Sequence, residues 1–297
     1  FDLDEVTRGG REDEMVPDEI ASIHQALILG IRDYFKKQNL STAILGLSGG
    51  LDSAVVAALA TEALGKENVR GLLMPSQYSS SHSVEDAVAL AQNLEIRFDL
   101  VPIKEIFDQY IYTLQPLFVG KAANVAEENI QARIRAMLLM AVSNKDGNIL
   151  LNTSNKSEAA VGYGTLYGDL CGALSVLGDV YKTQVYALAH YINRNGIIVP
   201  EHTINKPPSA ELSPGQKDSD SLPPYDVLDK ILYEYIENLK GSNELIEMGF
   251  DNQVVESVLR KVRNNEFKRQ QTPPLIRVSC RAFGLGRNIP VVNGYKA

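Results

Sequence analysis

Cysteine is scarce in this chain. Cys171 and Cys280 are the only two, and they show neither metal-ligand spacing nor a disulfide framework. Each reads as a small buried apolar residue, and a reducing, cytoplasmic setting fits. Histidine is equally sparse: His24, His82, His190 and His202 are scattered, give no metal constellation, and read as structural or solvated. Cationic residues are in deficit, 29 Lys and Arg against 37 Asp and Glu, for a formal net charge of −8. No excess of positive charge exists to displace counterions, which excludes generic nucleic-acid binding. Local basic clusters could still hold a phosphorylated small molecule. Nothing resembles a signal peptide or an apolar run of about 18 residues, so no membrane association is expected. What remains is ordinary globular composition over 297 residues, 44% hydrophobic and 22% charged, enough to bury a sizeable core.

Residues 1–17 are charged and aperiodic and read as a lead-in or linker. From Asp18 to about Lys37, Ile20, Ile23, Leu27 and Ile31 fall on one helical face. Apolar runs at Ala43–Leu47, Val69–Pro75, Ile96–Ile103 and Gly147–Thr153 read as strands. Between and after them, helices are predicted to about Leu64 (stopped by Gly65), over Ser83–Asn93, Ile103–Leu114 and Asn124–Ser143, and near Ser157. Such alternation predicts an α/β fold: a parallel sheet with helices on both faces. Further on, Asp179 is expected to cap a helix that runs to Asn193 and stops by Gly196. A polar loop over Pro200–Pro224 precedes a helical C-terminal region, Tyr225–Leu239 and Asn252–Asn265.

The segment "AILGLSGGLDSAVVAALA" (Ala43–Ala60) joins the first strand to a helix through two glycines, two serines and a carboxylate. Three readings compete. A tight turn would use glycine for unusual dihedrals and Ser or Asp as an N-cap. A Walker A loop needs Gly-Lys-Ser/Thr after the glycines, and no lysine follows. A different phosphate loop would surround an anion with the amides of Gly49 and Gly50, the hydroxyls of Ser48 and Ser53, and the helix N-terminus. Asp52 would repel bare phosphate, yet it belongs there if Mg²⁺ bridges the two.

"SGGLDS" after an apolar strand resembles the pyrophosphate-binding loop of the N-type ATP pyrophosphatases, which activate a carbonyl oxygen with AMP and release pyrophosphate. Further stretches narrow the resemblance to the NAD synthetase family, in its glutamine-dependent branch. They are "NTSNKSEAAVGYGTLYGDLCGALSVLGDVYKTQVYALAHYI" (Asn152–Ile192), "MPSQYSSSHSVEDA" (Met74–Ala87), "KPPSAELSPGQKDSDSLPPYDVLD" (Lys206–Asp229), "EFKRQQTPP" (Glu266–Pro274) and "RAFGLGR" (Arg281–Arg287). The resemblance covers the chain from about Asp18 onward, so 18–297 is expected to form one synthetase domain of the Rossmann-like, adenine nucleotide alpha hydrolase type.

It implies ATP-dependent amidation of deamido-NAD to NAD through an adenylated intermediate, with AMP and pyrophosphate released and ammonia as nucleophile. ATP contacts are implied for Gly46, Leu47, Ser48, Gly49, Gly50, Leu51, Asp52, Ser53, Thr153, Lys182 and Ser209. Asp52 and Glu158 are implied as magnesium ligands, Glu158 also beside the substrate. Asn129, Arg133 and Lys268 are implied contacts of deamido-NAD. Asp169, in "YGD", matches a position near the reacting centre, where it would orient or deprotonate ammonia. Catalysis is thus expected to rest on Asp52, Asp169 and Lys182. Phe267 stands where ammonia-only relatives carry His, and no role is carried onto it.

Local chemistry leaves plainer options beside several of these. Glu158 could be a solvated first-turn carboxylate favoured by the helix dipole. Lys182 would be the third residue of the helix capped by Asp179, where a cation meets an unfavourable dipole; a phosphate would account for it, and so would a side chain reaching into water. Asn129 and Arg133, one turn apart, share a helix face that could simply be solvated, while Arg135 points elsewhere. Tyr163 and Tyr167 could stack on an aromatic ring or pack in the core.

The branch resemblance also implies a nitrilase-type glutaminase domain ahead of this region. Residue 1 is Phe, and about 40 residues precede the loop, fewer than such a domain needs, so a fragment or processed half of a larger enzyme is expected. A homodimer is expected by family analogy. Two other functions stay open: another N-type ATP pyrophosphatase such as GMP synthetase, and a nucleotide-binding module without catalysis.

Overall fold

Five parallel strands form one sheet in the order β3-β2-β1-β4-β5: β1 (Ala43–Gly46), β2 (Val69–Leu73), β3 (Arg97–Leu100), β4 (Ile149–Asn152) and β5 (Leu174–Ser175). The computed structural model describes residues 18–216, 218–284, 286–292 and 294, so the expected lead-in over 1–17 lies outside the described residues. In β1 the side-chain period of two sends Ala43 and Leu45 into one core and Ile44 into another. Both faces of the sheet are therefore buried, as parallel strands require.

On one face lie α1 (Glu19–Lys37) and α2 (Leu51–Leu64). Asp18 caps α1 by accepting the Ile20 N–H at 3.2 Å, and Ile23, Leu27, Ile31 and Phe35 are buried. α2 buries a continuous run from Ala54 to Ala60 and ends at Gly65, whose φ of 89° suits glycine. α3 (Ser81–Asn93), α4 (Lys104–Leu114) and α5 (Val125–Asp146) follow. Phe107 of α4 and Ile134 and Leu139 of α5 cover the opposite face, around Ile44, Leu72 and Leu150.

Beyond β4 come α6 (Lys156–Val161), α7 (Lys182–Ile192) and α8 (Glu201–Asn205), then α9 (Tyr225–Ile236), α10 (Ser242–Glu247), α11 (Asn252–Asn264) and α12 (Glu266–Arg269). Leu228, Ile231 and Leu232 of α9 pack with Val255, Val258 and Leu259 of α11 against Ala160 and Val161, a separate C-terminal helical core. Lys156, fully buried, joins this layer to the rest. Its Nζ donates to Asp179 (2.7 Å), Glu237 (2.5 Å) and the Ser279 hydroxyl (2.7 Å).

The expected α/β architecture is present, with three local corrections. Asp179 does not cap the helix after it. Its carboxylate accepts the Val278 and Ser279 N–H groups (2.8 and 2.7 Å) and pairs with Lys156, while α7 starts at Lys182 after Tyr181. The expected loop over Pro200–Pro224 contains α8 and a 3₁₀ turn at Asp218–Asp220. β3 is shorter than the apolar run that predicted it.

Strand order reverses between β1 and β4: β2 and β3 lie on one side of β1, β4 and β5 on the other. In open α/β sheets ligands enter the crevice at the carboxyl ends of strands at such a switch. The loop after β1 and the segment from Thr153 after β4 both leave the sheet there.

Candidate active site

The loop after β1 is built from its own polar atoms. The Ser53 hydroxyl donates to the Gly50 carbonyl at 3.0 Å, and the Gly50 N–H donates to the Ser48 hydroxyl at 3.1 Å. Gly49 has φ of 76°, and a Cβ there would lie 2.1 Å from the Ser83 carbonyl oxygen at the start of α3. Only glycine lets the loop turn and press against α3. The first turn of α2 follows, so its free N–H groups and the loop amides share one anion-attracting corner.

Asp52, in that first turn, meets residues from two distant segments. Asn155 donates its side-chain amide to Oδ1 at 3.0 Å, and Lys182 donates Nζ to Oδ2. Glu158 stands 3.9 Å from the same Nζ. It is also the third residue of α6, where its Oε2 accepts the Asn155 N–H at 3.2 Å and Asn155 Oδ1 accepts the Glu158 N–H at 3.0 Å. First-turn carboxylate and site carboxylate are one residue, because a capping box aims it there.

Lys182 is the first residue of α7 and is buried, so its side chain does not reach into water. Nζ lies 5.5 Å above the Tyr225 ring. Burial opposes its charge, but Asp52 and Glu158 outweigh that and hold its pKa above the ordinary value. Burial, then repulsion from Asp52, pushes the Glu158 carboxyl up to about 8.

Asp52, Glu158 and Lys182 line a cavity of about 320 Å³ that also takes in the loop from Gly46 to Ser53 except Gly49, together with Thr153, Asp169 and Ser209. Asp169 opens into it. The surrounding protein raises its carboxyl above the ordinary range, against the Thr165 N–H that donates to Oδ1 at 2.6 Å. Ser209 belongs to a segment that crosses the cavity; its hydroxyl donates to the Gln216 carbonyl at 2.5 Å.

Three residues assigned to the organic substrate gather beside the cavity instead, around the segment 162–166. Asn129 Oδ1 accepts the Thr165 hydroxyl at 2.7 Å, Arg133 Nε donates to the Leu166 carbonyl at 3.2 Å, and Lys268 Nζ donates to the Gly162 and Gly164 carbonyls, both at 2.8 Å. Tyr163 lines the cavity, whereas Tyr167 is exposed outside it and donates to Gln271 at 2.9 Å.

Sequence reasoning missed Arg135, Lys206 and Asp218, which all line the cavity. Arg135 does point away from the face of Asn129 and Arg133, and it shares its own face of α5 with Ala132, Ala136 and Leu139, a three-and-four spacing that brings it to the cavity. Lys206 and Asp218 sit in the polar stretch where no periodicity gives a direction.

Among the described residues no group of three or more His, Cys, Asp or Glu could hold a metal ion. Two carboxylates, Asp52 and Glu158, do converge on Lys182. Their mutual repulsion marks a place where a cation is favoured, and the pair suits a magnesium ion that completes its shell with phosphate oxygens and water. Among the described residues no helix is long and apolar enough to cross a membrane.

Comparison with known proteins decides between the ATP pyrophosphatases. The sequence profile described as NAD synthase matches residues 23–272. The chain belongs to the NAD synthase family. A glutamine-dependent NAD(+) synthetase of Synechocystis sp. is 53% identical over 271 residues, which are 91% of this chain and 49% of the relative. The solved glutamine-dependent NAD+ synthetase of Acinetobacter baumannii, in complex with ADP, superposes with a TM-score of 0.65 at 44% identity, covering 95% of this chain and 52% of that one. An NH3-dependent NAD synthetase of Campylobacter jejuni, in complex with nitrate, has a TM-score of 0.68 at 33% identity, covering 84% of this chain and 96% of that one. This NAD synthase family member thus spans about half the length of the glutamine-dependent relatives it matches.

Proposed function

We propose that this chain amidates deamido-NAD to NAD at the expense of ATP, giving AMP and pyrophosphate, and that residues 18–297 form the domain that does so. The observation that carries the reading is the meeting of Asp52, Glu158 and Lys182 under the glycine loop, in one cavity with Asp169.

In the first step a nicotinate carboxylate oxygen attacks the α-phosphorus of ATP, forming an acyl–O–P bond as the bridge to pyrophosphate breaks. The loop after β1, the start of α2 and Lys182 take up the charge that grows on the leaving group. Thr153 and Ser209 flank the nucleotide. Magnesium held by Asp52 and Glu158 with the phosphates supplies further charge neutralisation when bound. In the second step ammonia attacks the acyl carbon, the acyl C–O bond breaks, and AMP departs with the electron pair. Asp169 orients ammonia and accepts the proton it sheds; a carboxyl raised by burial is better suited to that task than a free one. Asn129, Arg133 and Lys268 hold the dinucleotide beside the cavity. No side-chain nucleophile takes part.

Ammonia is the direct nitrogen donor, free in solution or supplied by a glutaminase of the nitrilase type in the longer protein. Supplying the chain with ammonium or with glutamine, and deamido-NAD or XMP as acceptor, tests both points. NAD formed from ammonium and deamido-NAD supports the proposal; pyrophosphate release that depends on XMP, or ligands bound with no adenylate formed, contradicts it. The two free cysteines suit a cytoplasmic location. We propose a homodimer whose contact lies on α4, α5 and their connection, where Tyr112, Leu117, Val119, Val125 and Met137 are each more than 60% exposed.

A further inference from the structure

Three cationic side chains line the cavity, and two have acidic partners. Lys182 is paired with Asp52, and Lys206 reaches Asp86 at 3.3 Å and the Ser83 hydroxyl at 3.1 Å. Arg135 has none. Its Nε donates to the Met74 carbonyl at 3.0 Å, which fixes the guanidinium at the carboxyl end of β2. Among the described residues no acceptor holds its two terminal nitrogens. Asp169 and Glu211 attract it through space, but both are engaged elsewhere. Asp169 accepts the Thr165 N–H, and Glu211 accepts the Ser80 and Ser83 hydroxyls at 3.0 and 2.8 Å.

Burial lowers the Arg135 pKa to about 10, so the group stays charged at neutral pH. A half-buried cation with no contacting carboxylate is costly to keep, and one hydrogen bond to a strand end does not require a planar fork of donors. The small neighbours on its helix face, Ala132 and Ala136, leave the fork open to the cavity. A ligand with two oxygens on one centre matches it.

We propose that Arg135 is an anion clamp, its terminal nitrogens binding paired oxygens of the reacting molecules, either the carboxylate of the acid substrate or a phosphoryl group of the nucleotide. It completes a set in which Lys182 and the glycine loop hold one anionic group and Arg135 another. The clamp rests on the function proposed above, and its test separates the two.

Dissociation constants for deamido-NAD, NAD and ATP are measured by calorimetry on the wild-type chain and on Arg135→Gln and Arg135→Lys, with a thermal melt of each. Deamido-NAD and NAD differ in a carboxylate against an amide. If the carboxylate is held, Arg135→Gln weakens deamido-NAD by about tenfold or more while NAD changes by less than about twofold. If a phosphoryl group is held, the loss falls on ATP. Arg135→Lys, which keeps the charge without the fork, retains part of the affinity in either case, and it carries the test should the glutamine variant not fold. Equal losses for all three ligands, or none, overturn the clamp. A wild-type chain that binds neither deamido-NAD nor ATP overturns the proposed function itself.

Discussion

Lys182 and Asp52, 130 residues apart in sequence, form a direct ion pair at the carboxyl end of β1. Neither could be placed beside the other from local pattern; the reversal of strand order between β1 and β4 brings them together. Replacing Asp52 with Asn keeps the shape and the means to bond Asn155 but removes the charge shared with Lys182. Pyrophosphate release that depends on deamido-NAD is expected to fall by about a hundredfold or more. Steady-state pyrophosphate assays on the variant check this; full activity would remove Asp52 from the chemistry.

Glu158 makes stability depend on pH. Its carboxyl has an ordinary value of 4.5 and sits at about 8 in the folded chain, through burial and then the nearby Asp52 charge. Between those values the folded state holds a proton that the unfolded state has lost. The contribution is fully present below about 4.5 and disappears as pH rises through about 8. Urea unfolding across this range is therefore expected to show wild-type stability declining more steeply with pH than that of Glu158→Gln. Parallel slopes would show that the carboxyl titrates normally.

The buried cluster around Lys156 is structural. Replacing it with Met strands Asp179 and Glu237 without their cation, and a loss of about 3–5 kcal/mol is expected in denaturant unfolding. A loss below about 1 kcal/mol would mean that water or a rearrangement replaces the lysine.

What was legible in the sequence followed local rules. The start of α1 near Asp18, Gly65 as a stop and the apolar runs of β1, β2 and β4 needed only neighbours along the chain. β5, two residues long, is too short for any periodicity, and it exists because Leu151 and Asn152 offer an edge. Asp179 misled because an Asp shortly before an amphipathic run is a capping signal; its partners Val278, Ser279 and Lys156 are distant in sequence. The glycine loop and Glu158 were readable as motif, while Arg135 was passed over beside Arg133, two positions away on the same helix. Which of the two faces the sheet depends on how α5 sits against β1 and β4.

The exposed apolar face on α4 and α5 gives a simple expectation. Val119→Asp combined with Tyr112→Glu places charge where two copies would meet. Sedimentation is expected to show a dimer for the parent chain and a monomer for the double variant, each with the same helical content. A parent chain that stays monomeric at concentrations of tens of micromolar, on the order of ordinary dimer affinities, would remove this face as a contact.

The central claim is that a carboxylate oxygen of the substrate becomes bonded to the α-phosphorus of ATP. Deamido-NAD carrying heavy oxygen in its nicotinate carboxylate, turned over with ATP, magnesium and ammonium, follows that atom directly. Mass spectrometry of the products is expected to find one heavy oxygen in AMP and none in pyrophosphate. Label in pyrophosphate or inorganic phosphate, or ADP in place of AMP, would contradict it.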